Sequence, residues 1–229
     1  MLDAIETLFV WIPLILQGFL LNLTMSLIAM AIATVAGFFV GMMLLSRSAA
    51  VRLPTRFVNT SIRNSPWLVV LFIFLLALPF EVKIPGFGVA FIPDWLKATI
   101  AFSLPVTANV AEIVRGAIRS VPTGQTEAAE SLAFTRRQIF WRILLPQCYK
   151  RMLPPWMNWY ALLALGTPMA AILGVQEALG TAQEAMEAAG GKPEFLVPFY
   201  GFLLLLFFAY IYPIALYTQR LERRYAVKD

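Results

Sequence analysis

The sequence of 229 residues contains no histidine and a single cysteine, Cys148, and only 14% of its residues are charged. The lack of histidine removes imidazole bases and most sets of metal ligands. One cysteine can form neither an intramolecular disulfide nor a Cys/His nucleophile pair. We therefore expect an ordinary thiol at Cys148, and neither catalytic residues nor a metal or cofactor bound by this chain.

The shortage of charge is matched by an excess of apolar residues. Hydrophobic residues make up 60% of the chain, and its mean hydropathy is +0.74. About a quarter of the residues of a soluble domain are charged, so this apolar excess must face lipid or other spans. We predict one polytopic membrane domain over residues 1–229. Its net charge of +5 indicates basic cytoplasmic loops rather than a nucleic-acid partner.

About five stretches are long and apolar enough to cross a bilayer as helices. The five predicted spans are Leu20 to Leu45, Phe57 to Phe80, Lys97 to Gly116, Pro155 to Val175 and Phe195 to Tyr217. The preceding segment, Leu8 to Phe19, is interrupted by Pro13, Gln17 and Gly18. It is interpreted as an interfacial or re-entrant helix, with a sixth short span as the alternative.

The basic residues predict the orientation of these spans. A periplasmic N-terminus and a cytoplasmic C-terminus put 15 of the 18 Lys and Arg residues in the cytoplasm and leave Lys83, Lys97 and Lys192 outside. The opposite orientation would violate the positive-inside rule. We therefore expect a multi-pass membrane protein in this orientation.

The longest predicted cytoplasmic segment covers residues 119–154 and is called the hairpin segment below. Gln125 to Leu132 is predicted to form a short helix, and Thr135 is predicted to cap a second helix that ends at Pro146. Apolar residues recur at helical spacing in the second helix. They are Ile139, Phe140, Ile143 and Leu144. Periodicity alone favours an amphipathic hairpin that packs on its own bundle or lies on anionic lipid.

The hairpin segment resembles the EAA motif of permease subunits of binding-protein-dependent ABC importers. That motif is Glu-Ala-Ala, three residues, Gly, nine residues, Ile, one residue, Leu-Pro. The matching positions are Glu127, Ala128, Ala129, Ile143, Leu145 and Pro146. The one departure is Ala133, which stands where the family has Gly and would be strained in the left-handed turn that a glycine supplies.

Further segments resemble the polar amino-acid branch of that family. They are Arg63-Asn64-Ser65-Pro66, Ala111 to Gly116, Ser120-Val121-Pro122, Gly124-Gln125 and Ile172 to Leu179. The resemblance implies an all-α integral membrane fold of the type I importer (MetI-like) class. It also implies a multi-pass subunit of a bacterial inner membrane that forms the pathway for a polar amino acid or similar zwitterion.

The resemblance further implies the partners. The residues of the EAA motif would dock on a separate ATPase dimer that carries ATP and Mg, because this chain has no Gly-x-x-x-x-Gly-Lys-Ser/Thr pattern. A second permease subunit and a periplasmic substrate-binding protein would complete the importer. The acidic stretch Gln176 to Glu194 is a candidate dock for that binding protein, with an ordinary solvated helix as the alternative.

Polar residues within or at the ends of spans are candidates for the substrate pathway, although such residues more often bond a neighbouring helix. They are Asn64, Ser65, Thr107, Asn109, Glu112, Asn158 and Thr167. Glu112 and Arg115 are spaced to pair with each other, either as part of the pathway or as a structural clamp.

Leu163 to Met169 departs from the branch's Leu-Leu-Lys-Asp-Thr-Ser-Leu by losing both charges. We therefore hypothesise a heterodimer whose other permease keeps the charged pair. The main alternative function is an ATP-independent secondary transporter or channel for small polar solutes. It would predict inverted repeats and coupling carboxylates within the spans, and only Glu112 comes near the latter.

Overall fold

The computed structural model describes residues 2–79, 81–84 and 88–225, and most of these are helical. The principal helices and strands are α1 (Leu2–Leu44), α2 (Ala49–Arg63), α3 (Trp67–Ala77), β1 (Glu81–Ile84), β2 (Gly88–Phe91), α4 (Asp94–Arg119), α5 (Thr123–Ser131), α6 (Arg136–Ile139), α7 (Leu145–Gly166), α8 (Ala178–Ala188) and α9 (Leu196–Tyr225). A π-helical turn (Phe140–Leu144) and a 3₁₀ segment (Thr167–Leu173) flank α7, and a second 3₁₀ turn (Pro193–Phe195) precedes α9. The helical fold agrees with the prediction, to which the structure adds the antiparallel pair β1 and β2.

The first helix is longer than predicted. α1 continues without a break through Pro13, so the prediction of a separate interfacial or re-entrant helix at Leu8 to Phe19 is wrong. Gly18 has a packing role, because a Cβ atom there would lie 2.6 Å from the backbone nitrogen of Ala178. The glycine that looked like a helix breaker is where α1 contacts the start of α8.

Two glycines bring α1 and α4 into close contact. A Cβ atom at Gly37 would lie 2.7 Å from the side chain of Val110, and one at Gly41 would lie 2.8 Å from the carbonyl oxygen of Ala111. This spacing of four residues is the small-xxx-small pattern that lets helix backbones approach closely in membranes. The resulting contact fixes α4 against the second half of α1.

The second predicted span is divided in two. α2 and α3 meet at an angle of 105° across Asn64, Ser65 and Pro66. Proline disfavours helical backbone at the preceding residue and cannot donate its own amide, so Pro66 begins a new helix as its N-cap. The predicted end of this span, Phe80, lies outside the described residues.

Within the described residues, two helices are long and apolar enough to cross a membrane, or up to four if each of two bent pairs is one span. These helices support a multi-pass protein. The number of five spans and their orientation remain predictions. α4 is less apolar but has 26 residues, about 39 Å at 1.5 Å per residue. About half of its residues are buried against protein, including Lys97 and Asn109, so α4 need not be as apolar as a lipid-facing helix.

Candidate functional site

The first arm of the hairpin segment is helix α5. It presents Glu127 and Ala128 to the exterior and buries Ala129 at 4% exposure. No acidic residue lies in its first turn and no basic residue in its last. The arm therefore presents one exposed alanine, Ala128, between two exposed carboxylates, Glu127 and Glu130.

Ala133 ends this arm in the left-handed conformation, with φ 58°. Phe134 N donates to the carbonyl of Ala129 at 3.1 Å, and Ala133 N donates to that of Glu130 at 2.9 Å. This pair of bonds is a Schellman motif, in which the left-handed residue is usually glycine. Among the described residues, Ala133 is the only non-glycine with positive φ. The chain thus adopts the turn that the family's glycine supplies, with the strain expected for alanine.

The second arm begins with a capping box. Gln138 N donates to the hydroxyl of Thr135, and Thr135 N donates to Gln138 Oε1 at 2.8 Å, as Thr135 was predicted to cap this helix. The helix does not end at Pro146, which corrects the prediction. Leu145 N bonds Phe140 O in an i to i−5 turn, and this wider π turn carries the chain through Pro146 into α7.

The apolar stripe of the second arm faces the helix bundle. Ile139 is 3% exposed, and the Phe140 ring lies 6.4 Å from that of Phe38 in α1. A cavity of about 490 Å³ separates the end of α1 from the hairpin segment in this region. Ile143 and Leu145 are half-buried and Pro146 is exposed. The packing agrees with an amphipathic hairpin that packs on its own bundle.

Three polar contacts tie the two arms to each other and to α4. Gln147 Nε2 donates to Gln125 Oε1 at 2.6 Å, across the base of the hairpin segment. Arg151 Nη1 donates to both the carbonyl and the hydroxyl of Ser120 at 2.7 Å. These bonds connect α7 to the end of α4, so movement of the hairpin segment must move both helices.

Cys148 lies at the same junction and is fully buried. Its thiol donates to the carbonyl of Ala117 at 3.4 Å. Burial raises the pKa of the Cys148 thiol, and the nearby charge of Arg151 lowers it in part. The pKa lies above its usual value and the thiol is shielded, as expected for an ordinary structural cysteine.

Glu112 is the centre of a polar network between α2 and α4. Its Oε2 accepts from Arg115 Nε at 2.7 Å, as the spacing predicted. Its Oε1 accepts from Asn59 Nδ2 at 3.4 Å and lies 3.8 Å from Arg63 Nη1. Arg63 Nε also donates to Asn109 Oδ1 at 3.1 Å. The network joins two predicted pathway residues, Asn109 and Glu112, and clamps α2 to α4.

The other pathway candidates lie elsewhere in the chain. Asn64 and Ser65 lie at the break between α2 and α3, and Thr107 lines an apolar cavity beside α2. Asn158 is exposed on α7, and Thr167 is fully buried at the far end of that helix. Within one copy of this chain, the seven residues do not line a single surface.

Thr167 belongs to a buried cluster that sequence reasoning missed. Asn22 Nδ2 donates to Glu177 Oε2 at 2.7 Å and to Thr167 Oγ1 at 3.0 Å. Glu177 also accepts from the amides of Leu179 and Gly180, as the N-cap of α8. Glu177 is fully buried, so it cannot belong to the acidic dock predicted at Gln176 to Glu194. The signal that could have found the cluster is one amide, Asn22, inside an apolar run.

The two positions that lost charge, Leu165 and Gly166, have different surroundings. A Cβ atom at Gly166 would lie 2.9 Å from the Trp67 ring, which stacks on Trp159 at 6.4 Å. Leu165 is 49% exposed. An aspartate at position 166 would collide with Trp67, so this chain has replaced the charge with aromatic packing.

Comparison with known proteins adds to this geometry. Residues 33–226 match the family described as "Binding-protein-dependent transport system inner membrane component". A protein named "Probable amino-acid ABC transporter permease protein YckA", from Bacillus subtilis (strain 168), is 33% identical over 93% of this chain and 90% of its own. The "Octopine transport system permease protein OccM" of Rhizobium radiobacter is 34% identical over 73% of this chain and 69% of its own length.

One solved structure has a similar fold. It is titled "Crystal structure of an amino acid ABC transporter with histidines", and it superposes with a TM-score of 0.78 at 23% identity. The superposition covers 94% of this chain and 97% of that one. The two chains therefore share their overall helical fold.

Proposed function

This chain belongs to the family of binding-protein-dependent transport system inner membrane components and is a permease subunit of an amino-acid ABC importer, and we propose that its hairpin segment couples the pathway to a separate ATPase. The observation that carries the coupling proposal is the surface of α5. Glu127 and Ala128 are exposed, while the apolar stripe of the second arm is packed against the bundle, with Ile139 buried and Phe140 in contact with Phe38 of α1. An exposed carboxylate favours a basic groove on the partner.

The direction of force follows from the contacts of the hairpin segment. Movement of α5 would be transmitted to α7 through the Gln125–Gln147 bond. From α7 it would be transmitted to α4 through the Arg151–Ser120 bonds. α4 carries Glu112, whose network clamps α2. Closure of an ATPase dimer would therefore move three pathway-forming helices together.

ATP and Mg belong to that ATPase in this proposal, and this chain binds neither and carries no ATPase site of its own. A substrate-binding protein delivers the cargo from the periplasmic side of a bacterial inner membrane. The cargo is a polar amino acid or a similar small zwitterion. The names of the two relatives, an amino-acid permease and an octopine permease, support this substrate class.

The proposed partner across the pathway is a second, different permease. Leu165 and Gly166 stand where the branch has a charged pair, and Trp67 occupies the space next to Gly166. Two copies of this chain would leave the pathway without either charge. A second permease that keeps the pair would supply charges able to contact the zwitterion.

Affinity purification of the tagged chain from its native membrane in mild detergent, followed by mass spectrometry, tests these proposals. The wild type and Glu222→Lys, an equal charge reversal at the exposed end of α9, should each recover an ATPase. Glu127→Lys should lose it. A second, different permease in the purified complex supports the heterodimer. A complex with two copies of this chain around one pathway contradicts it. Recovery of the chain alone under conditions that preserve other complexes would favour an ATP-independent carrier or channel.

A further inference from the structure

A cavity of about 300 Å³ lies between α2 and α4, and its lining is strongly basic. Five arginines and one carboxylate line it together with Leu44 and Thr60. The charged residues are Arg52, Arg56, Arg63, Glu112, Arg115 and Arg119. Five guanidinium groups against one carboxylate leave a local excess of four positive charges. Among the described residues, no acidic side chain other than Glu112 lines this cavity.

The helix geometry produces this concentration of charge. Arg52, Arg56 and Arg63 lie on one face of α2, and Arg115 and Arg119 are four residues apart on the last turns of α4. Glu112 is already paired with Arg115 at 2.7 Å. In the described part of the chain, Arg56 and Arg119 have no acidic side chain within ion-pair distance. The cavity therefore has unsatisfied capacity for an anion.

An apolar cavity of about 580 Å³ lies on the neighbouring face of α2. Val58 and Ile62 of α2 line it, together with Val40 of α1 and Leu104 of α4. Asn59 lines this apolar cavity and also donates to Glu112, which lines the basic one. One residue of α2 thus separates a basic cavity from an apolar cavity.

The exterior of α2 indicates its surroundings. Phe57 is 74% exposed and Leu53 is 59% exposed, so the outer face of α2 is apolar while its arginines face the basic cavity. A helix with one apolar outer face and several arginines lies at the boundary between hydrocarbon and water. Phosphate groups of lipids are concentrated at that depth, and basic pockets between spans bind anionic headgroups.

We propose that the basic cavity between α2 and α4 binds the phosphate of an anionic phospholipid, with an acyl chain of the same lipid in the adjacent apolar cavity. Guanidinium groups match phosphate oxygens with two parallel hydrogen bonds. The bound phosphate would offset one of the four excess positive charges beside Glu112 and brace α2 against α4. This inference requires that the chain lie in a membrane and does not depend on its cargo.

The test is native mass spectrometry of the purified full chain, mixed with equal amounts of dioleoyl phosphatidylglycerol and dioleoyl phosphatidylcholine. The wild type should retain phosphatidylglycerol in preference. The triple variant Arg52→Gln/Arg56→Gln/Arg119→Gln should lose that preference by about tenfold or more, since each arginine near the surface attracts anionic lipid. The matched control is Arg220→Gln/Arg223→Gln/Arg224→Gln, which removes the same charge from the end of α9 and should keep the preference.

The single variant Arg56→Gln covers the case in which the triple variant misfolds, because Arg56 is exposed and its replacement should not disturb the fold. This variant should lose part of the preference for phosphatidylglycerol. A wild type without preference overturns the proposal, and so does an equal loss in both triple variants. Glycerol 3-phosphate carries the phosphate without acyl chains. At the same concentration as the lipid, it should displace little of the bound phosphatidylglycerol. Full displacement would overturn the lipid assignment in favour of a soluble phosphate ester.

Discussion

Replacement of Ala133 by glycine should stabilise the hairpin segment, although it removes a methyl group. Ala133 has φ 58° and closes a Schellman motif through the amides of Ala133 and Phe134. An L-residue in this conformation costs about 1–2 kcal/mol. Glycine avoids that cost but loses about 0.5–1 kcal/mol through its greater freedom in the unfolded chain. The net gain expected for Ala133→Gly is about 0.5–1 kcal/mol.

The measurement is hydrogen exchange of the amides at the end of α5, followed by mass spectrometry of the purified chain. A gain of about 0.5–1 kcal/mol slows exchange through local opening by roughly two- to fivefold. The matched control is Ala128→Gly, five residues earlier, inside α5 and also exposed. Its backbone is helical, so glycine should cost about 1 kcal/mol and speed exchange.

Opposite signs for the same chemical change would establish that the left-handed backbone, and not the lost methyl group, decides the result. If both variants speed exchange, the strain assigned to Ala133 does not exist. If both slow it, α5 is not the stable helix described above.

Further predictions concern packing, the buried cluster and the thiol. Gly41→Val should lower the unfolding temperature by forcing α1 from α4 at a cost of about 1–3 kcal/mol, while Gly201→Ala, whose Cβ would meet nothing within 4 Å, should leave it equal or higher. Asn22→Ala should cost about 2–4 kcal/mol in a denaturant titration by leaving the buried Glu177 carboxylate short of a donor, and an unchanged midpoint would contradict that role. Cys148 should resist maleimide at pH 7 in the folded chain and react after denaturation, because burial raises its pKa and depletes the thiolate; rapid labelling of the folded chain would show that it is not buried.

Local patterns were sufficient for much of the hairpin segment. The turn before Gln125 and the cap residue Thr135 predicted two short helical arms, and the capping box at Thr135 confirmed the start of the second. The same patterns failed at Pro146, because a proline normally ends a helix and the π turn before it has no sequence signature. The pairing of Glu112 with Arg115 was predictable since both lie on one helix face.

Long-range contacts were not predictable in this way. Asn22 and Glu177 are 155 residues apart in the chain, and no pattern of local spacing joins them. The seven pathway candidates were chosen for polarity alone, so the structure could separate them into different environments. Pro13 and Gly18 indicated a break in α1, but tertiary contact with α8 gives Gly18 another purpose.

The sequence by itself determined that the chain is a membrane protein of the importer permease family, because composition and motif spacing are properties of the linear chain. The tertiary structure alone decided which polar groups meet. Helices that are distant in sequence had to be packed before the arginines of α2 and α4 enclosed one cavity and Glu177 found its amide partner in α1. Burial and charge neutralisation are properties of that packing, since each depends on what lies across the helix interface.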